Sequence, residues 1–251
     1  NDAKLYFNKI LEINPNDHES YKELGNIYKS LGNTNNAEKF YKKSILIKSD
    51  YAHALTNLGS IYMFKNKKEK AKILLEKAVD SDPRLAPAWA NLANYYYQIK
   101  NMVQAKYACL KSIEIDPDSY NICFLYATIL VEEKDIRKGI EYLYKTIQIN
   151  PFFFHANLNL GSILNDIGKL KEAEIYTRKA IDINPDSANA YSNLGMILSN
   201  LGRQIESLEA LNKALKIDPK MANAHLNLGN TLNIIGKSQE SEVSIREAIK
   251  I

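Results

Sequence analysis

Prolines recur in this chain at a fixed interval, and that interval constrains the fold more than any other feature of the sequence. Six of the seven prolines are separated by 34 residues or, across one gap, by 68, and Ser49 stands where the missing one would fall. The six are Pro15, Pro83, Pro117, Pro151, Pro185 and Pro219. A strict period of this length, without insertions, indicates an array of one small repeated structural element.

The segment 188–221 shows what one repeat contains. Apolar residues from Tyr191 onward recur at helical spacing until Gly202, and glycine suits the left-handed residue that often ends a helix. A second helical pattern covers 205–215 and stops before Pro219, which lacks an N–H and disfavours helix in the residue before it. Each repeat is therefore predicted to hold a helix A, a tight turn, a helix B and a proline turn.

The period divides the chain into a half repeat and seven repeats, each numbered from position 1 to position 34. They are the half repeat 1–17 (a helix B), then repeats 18–51, 52–85, 86–119, 120–153 (atypical), 154–187, 188–221 and 222–251 (truncated). Position 8 is glycine or alanine throughout, and position 20 is alanine, glycine or serine. Small residues at these positions allow two helix backbones to approach each other closely.

This pattern resembles the tetratricopeptide repeat. The likeness rests on a bulky residue at position 4 (Trp89, Tyr191), Leu-Gly at positions 7 and 8, tyrosine at position 11, alanine at positions 20 and 27, and proline at position 32. It covers the whole chain. The resemblance implies an all-α fold, a right-handed superhelical solenoid of about 15 helices, with helices A on its concave face and helices B on its convex face. Because one repeat cannot bury its apolar stripe alone, stability would come from stacking of neighbours.

Composition and charge exclude several classes of function. The net charge of +4 is too small and too dispersed for the basic stripe of a nucleic-acid-binding protein, and no apolar run reaches the length of a membrane span. The two cysteines form neither a metal-binding spacing nor a disulfide framework, so we expect a reducing, cytoplasmic location.

Catalytic and cofactor sites find no support in the pattern. The four histidines fall on separate repeats, none with a carboxylate or cysteine at ligand spacing, and every glycine has a role in the repeat. We therefore expect a binding module rather than an enzyme, with no metal and no cofactor.

Helices A of the last three repeats are rich in asparagine and carry one formal charge, Asp166. Since a solvated helix is normally charged, an uncharged polar face suggests a surface that meets a partner. An asparagine amide can donate to and accept from a peptide backbone together. The candidate groove residues are Asn57, Asn91, Asn159, Asn193 and Asn227 at position 6, Asn189 and Asn223 at position 2, Asn94 and Asn230 at position 9, and Asn165 at position 12.

This series resembles the asparagine ladder in the tetratricopeptide domain of O-linked N-acetylglucosamine transferase, which implies a groove that holds extended peptides. Asparagines at these positions also make contacts between neighbouring repeats, so a purely structural role stays open. A carboxylate clamp of the co-chaperone type is only partly present: Lys22, Asn26 and Asn57 match it, whereas Pro87 and Asn91 replace its last two basic residues.

Repeat 120–153 departs from the pattern, with Leu125 in place of asparagine at position 6. Together with Phe124 and Leu158 it predicts an apolar patch midway along the groove, which is either an anchor for a partner or a degenerate repeat that repacks locally.

The sequence thus predicts a scaffold that binds proteins or extended peptide segments through an asparagine-lined groove. Two alternatives remain: a substrate-recruiting arm of a larger glycosyltransferase-like enzyme, and an assembly scaffold that acts through its convex face or its ends. Neither terminus shows a polar capping helix, so we also expect possible end-to-end self-association.

Overall fold

The computed structural model describes residues 2–251, and this range contains fifteen α-helices and no strand. The expectation of an all-α fold with about 15 helices is confirmed. The helices are α1 (Asp2–Ile13), α2 (His18–Ser30), α3 (Thr34–Ile47), α4 (Ala52–Phe64), α5 (Lys68–Ser81), α6 (Ala86–Gln98), α7 (Met102–Ile115), α8 (Tyr120–Glu132), α9 (Ile136–Ile149), α10 (Phe154–Asp166), α11 (Leu170–Ile183), α12 (Ala188–Asn200), α13 (Gln204–Ile217), α14 (Ala222–Ile234) and α15 (Ser238–Lys250).

The contacts divide the chain into two compact units, residues 1–129 and 130–251. In the first unit α2 packs on α3, α4 on α5 and α6 on α7, and each pair also contacts the helix that precedes it. In the second unit α10 packs on α11, α12 on α13 and α14 on α15 in the same way. Direct contacts between successive A helices join α4 to α6, α10 to α12 and α12 to α14. Each unit is therefore a stack of helical hairpins.

The turn between helix A and helix B uses a left-handed residue at position 15 of every repeat. Four of these residues are glycines with φ between 73° and 80°, whereas Asn66, Lys100 and Lys134 hold the same conformation at φ 55°, 60° and 69°. The N–H groups of the left-handed residue and of the residue after it donate back to carbonyl groups of helix A. In repeat 86–119, Lys100 N–H donates to Tyr97 C=O at 3.0 Å and Asn101 N–H donates to Tyr96 C=O at 2.9 Å. This hydrogen-bond pattern is the Schellman motif, so the backbone geometry persists where the glycine is lost.

The proline turns contain a second repeated device that the prolines alone do not reveal. The residue before each of the six periodic prolines is aspartate or asparagine, and its side-chain oxygen accepts a hydrogen bond from the N–H two residues on. In 218–220, for example, Lys220 N–H donates to Asp218 Oδ1 at 3.0 Å. Such an Asx turn fixes the chain direction between one hairpin and the next.

Glycine at position 8 lets helices A and B approach closely within a hairpin. A Cβ on Gly195 would lie 2.5 Å from Leu211 Cγ, and one on Gly25 would lie 2.5 Å from the Tyr41 ring. Repeat 86–119 has Ala93 at this position, opposite the smaller Cys109, and both are fully buried. In this repeat a larger residue at position 8 thus accompanies a smaller one at position 24.

An acidic residue at position 21 links neighbouring repeats in both units. Glu38 accepts hydrogen bonds from Lys42 on its own helix and from Lys65 of the next repeat at 2.7 Å, and Glu174 pairs likewise with Arg178 and Arg203 at 2.8 Å. Burial alone would raise the pKa of Glu38, but the two lysines outweigh it and lower the pKa to about 2. The ionised carboxylate therefore ties each pair of repeats together at neutral pH.

Candidate functional site

The A face is the side of each A helix that points away from its hairpin partner. In the second unit it carries Asn159 on α10, Asn193 on α12 and Asn227 on α14, all half-buried at equivalent places on helices that pack side by side. Within residues 2–251, the side-chain amides of Asn159 and Asn193 make no hydrogen bond, and Asn227 Nδ2 makes a long one of 3.3 Å to Ser192 Oγ. Most of the hydrogen-bonding capacity of these amides is therefore available to a partner.

The outer rows of the same face add further amides. Asn189, Asn223 and Asn230 are exposed, and no hydrogen bond within the described chain engages their side chains. Asn223, Asn227 and Asn230 lie four and three residues apart, so they share one side of α14. The position 2, 6 and 9 residues predicted from the sequence thus do lie together on the surface of the second unit.

Asn165, which the sequence also suggested as a groove residue, is differently placed. It is 8% exposed, its Oδ1 accepts from Asn200 Nδ2 at 2.9 Å, and its Nδ2 lies 3.4 Å from Asp166 Oδ1. The Asn200 bond joins α10 to α12. This amide serves the packing between two repeats.

Asn57 in the first unit is also engaged within the chain. Its Nδ2 donates to Asn26 Oδ1 at 3.0 Å, and the same oxygen accepts from the Tyr41 hydroxyl at 2.7 Å. Asn26 Nδ2 in turn donates to Glu23 at 3.0 Å, and Glu23 pairs with Lys22. The residues that match a carboxylate clamp therefore form a network of their own.

Two other asparagines of the first unit lie on α6. Asn91 is half-buried, and its side chain makes no hydrogen bond within residues 2–251, whereas Asn94 Nδ2 donates to Ala90 C=O at 2.9 Å. Asn94 therefore keeps its side-chain oxygen as an acceptor.

Phe124 and Leu125, the predicted apolar anchor, line a hollow of about 660 Å³ between α6 and α8. The remaining lining residues are Asn94, Tyr97, Gln98, Asn121 and Thr128. The third predicted anchor residue, Leu158, lies half-buried on α10 in the second unit. Tyr97, Gln98, Asn121 and Thr128 were not predicted from the sequence, although their positions 12, 13, 2 and 9 of helix A mark them once the face is known.

Other kinds of site are not found among the described residues. No group of three or more histidine, cysteine, aspartate or glutamate side chains in 2–251 is arranged to hold a metal ion. In the same range, no helix is both long and apolar enough to cross a membrane. Cys109 and Cys123 are buried and are not joined in a disulfide, and burial raises the pKa of Cys109 to about 12.

The fold and these faces define a helical-repeat protein that presents polar surfaces on stacked hairpins. Sequence models of the tetratricopeptide repeat match residues 6–39, 52–85, 86–119, 154–187 and 176–209, and a model described as a TPR repeat matches 195–233. The chain therefore belongs to the tetratricopeptide repeat family, whose members are generally binding modules. None of these matches extends into repeat 120–153. No curated protein sequence matches the chain.

Several solved structures share the fold. PilF of Pseudomonas aeruginosa aligns with a TM-score of 0.75 at 18% identity over 82% of this chain and 94% of its own. YrrB, described as a TPR protein with an unusual peptide-binding site, aligns with a TM-score of 0.65 at 23% identity, covering 73% and 95%. PilW, described as a widely conserved type IV pilus biogenesis factor, gives 0.65 at 22% identity, covering 77% and 90%. At these identities the likeness shows the fold alone.

Proposed function

We propose that this protein binds extended protein segments along the A face of its second unit, through Asn159, Asn193 and Asn227. The observation that carries the proposal is that Asn159 and Asn193 stand half-buried at equivalent places on packed helices with their amides unpaired. An amide of this kind pairs with a peptide N–H and C=O together, whatever the side chain of the bound residue.

The spacing of the repeats suits an extended segment. Packed helices lie about 8–10 Å apart, and an extended chain advances about 3.3 Å per residue. Each asparagine would therefore serve about three residues of the partner. A segment that crosses α10, α12 and α14 would span roughly nine residues.

Charge favours a protein segment over a nucleic acid as the partner. The helices α10, α12 and α14 contain no lysine or arginine, whereas nucleic-acid binding depends on basic contacts with phosphates. Cys109 and Cys123 are not joined in a disulfide, which supports a reducing, cytoplasmic setting for this binding.

Retention of the protein on an array of nine-residue peptides tests the proposal. A typical hydrogen bond contributes about 0.5–1.5 kcal/mol, so changing Asn159, Asn193 and Asn227 together to alanine should weaken retention about tenfold or more. The matched control is Asn212→Ala, which removes an exposed asparagine from helix α13 in the same unit. Equal retention by the triple variant and the control would contradict the proposed function.

A further inference from the structure

The hollow between α6 and α8 lies on the A face of the first unit, and its walls differ in chemistry from its rim. Phe124 and Tyr97 are half-buried aromatic residues in its walls, and Leu125, which is 9% exposed, adds a small apolar surface to the lining. Gln98 and Asn121 are exposed and supply amides at the edge. A volume of about 660 Å³ lies in the range of ligand pockets and is ample for a large side chain.

Two features of the lining make this hollow more apolar than the rest of the A face: the residue at position 6 and the internal hydrogen bonds of the polar side chains. Repeat 120–153 places Leu125 at position 6, where five other repeats carry asparagine. The Thr128 hydroxyl donates to Phe124 C=O at 2.9 Å, which satisfies it on its own helix. The Asn94 amide group donates to Ala90 C=O, so its oxygen is left as an acceptor.

We infer that this hollow is an anchor pocket that receives one large uncharged side chain, aromatic or long aliphatic, from an extended protein segment that binds the first unit. The inference goes beyond the proposed function, because it adds a binding site in the first unit and names the residue class that this site selects. Two aromatic walls favour an aromatic guest through edge-to-face or offset contacts. None of the seven lining residues is an acid, a lysine, an arginine or a histidine, so a charged guest would be desolvated without a partner.

The occupant is a segment of another protein because the pocket combines apolar walls with backbone-binding groups. Asn94, Gln98 and Asn121 can pair with the peptide bonds on either side of the guest residue. An extended segment presents alternate side chains to opposite sides, so one residue enters the pocket while its neighbours point outward.

An array of nine-residue peptides of serine and threonine tests the pocket, with the central residue varied among Trp, Tyr, Phe, Leu, Ala, Glu and Lys. The wild-type protein should retain the first four at least fivefold better than the last three. Phe124→Ala should bring this ratio close to one, whereas the matched control Phe152→Ala, an exposed phenylalanine in a turn, should leave it unchanged.

If circular dichroism shows that Phe124→Ala does not fold, a second variant tests the pocket. Gln98→Lys changes only an exposed rim residue and should lower retention of the aromatic peptides at least threefold while bringing the Glu peptide into the bound set. A preference that survives in Gln98→Lys and in folded Phe124→Ala overturns the inference.

The asparagine triple variant separates the two proposals. Its three substitutions lie in the second unit, so it should keep the preference of the first-unit pocket for peptides with a large uncharged central residue. Retention without any preference overturns the anchor pocket alone, and absence of retention by the wild type contradicts the proposed function as well. Self-association that Phe124→Ala abolishes, without a peptide preference, would assign the pocket to a second copy of the chain and overturn the inference.

Discussion

Asn57 of the first unit and Asn193 of the second occupy the same repeat position but are used in opposite ways. In the first unit Asn57 is held by Asn26 of the preceding A helix, within a network that includes Glu23. In the second unit Asn193 has no such partner, and the corresponding residue of the preceding A helix is Ser162. An asparagine at position 6 is therefore structural where an asparagine at position 9 of the previous repeat accepts from it, as Asn26 does, and available for binding where no such bond forms.

Helix α2 also differs in charge from α10, α12 and α14. Helix α2 of the first unit carries Glu19, Lys22, Glu23 and Lys29, and Lys29 Nζ donates to Ser60 Oγ of the next A helix at 3.0 Å. The A helices of the second unit carry Asp166 alone. Polar groups on and around α2 satisfy one another, whereas Asn159 and Asn193 of the second unit leave neutral amides for a partner.

The largest expected effect tests the packing of the two units at position 8. Gly195→Ala should destabilise the protein by about 1–3 kcal/mol, because the new Cβ would collide with Leu211 at 2.5 Å. The first unit tolerates Ala93 opposite Cys109. Placing Gly195→Ala in a Leu211→Cys background should therefore cost less than in the wild type. Urea unfolding of the wild type, the two single variants and the double variant measures the coupling energy between positions 8 and 24. Additive changes in the free energy of unfolding would contradict the comparison.

A smaller effect should separate the structural asparagine from the available one. Asn57→Ala removes a donor from Asn26 and should lower the free energy of unfolding by about 1 kcal/mol. Asn193→Ala removes no hydrogen bond and should change stability by less than about 0.5 kcal/mol, in keeping with a surface substitution. Thermal unfolding compares the two variants directly. A larger loss in Asn193→Ala than in Asn57→Ala would refute the assignment.

The smallest effect concerns the turn, where both units should respond alike. Lys100→Gly in the first unit and Lys134→Gly in the second should each raise stability by about 0.5 kcal/mol, because a left-handed conformation strains residues with a Cβ. Gly168→Ala should lower stability, because the left-handed backbone would be strained even though the new Cβ would have open space. Melting temperatures measured at low protein concentration test these stability changes. Lys106→Gly, in the middle of α7, serves as a destabilising control.

The sequence predicted the hairpins, the turns and the position of most candidate asparagines because each depends on residues within one repeat. It did not predict which asparagines are engaged, since Asn57 finds its partner 31 residues away and Asn165 finds its own 35 residues away. It also expected glycine at the turn, whereas Lys134 adopts the same φ because the hydrogen bonds of the motif hold it. The pocket was seen only in part because it needs Tyr97 and Phe124 from two helices at once. The specific likeness to the transferase domain stays a prediction.

In each unit the helices that pack together belong to the same hairpin or to adjacent ones. Few distant segments of the chain must therefore meet during folding, which favours rapid folding that can begin at more than one hairpin. The same arrangement lets a hairpin open without disrupting those beyond its neighbours, so amide hydrogen exchange should vary from hairpin to hairpin. A partner that spans α10, α12 and α14 would slow amide hydrogen exchange in three hairpins at once. The number of protected hairpins would therefore indicate the length of the bound segment.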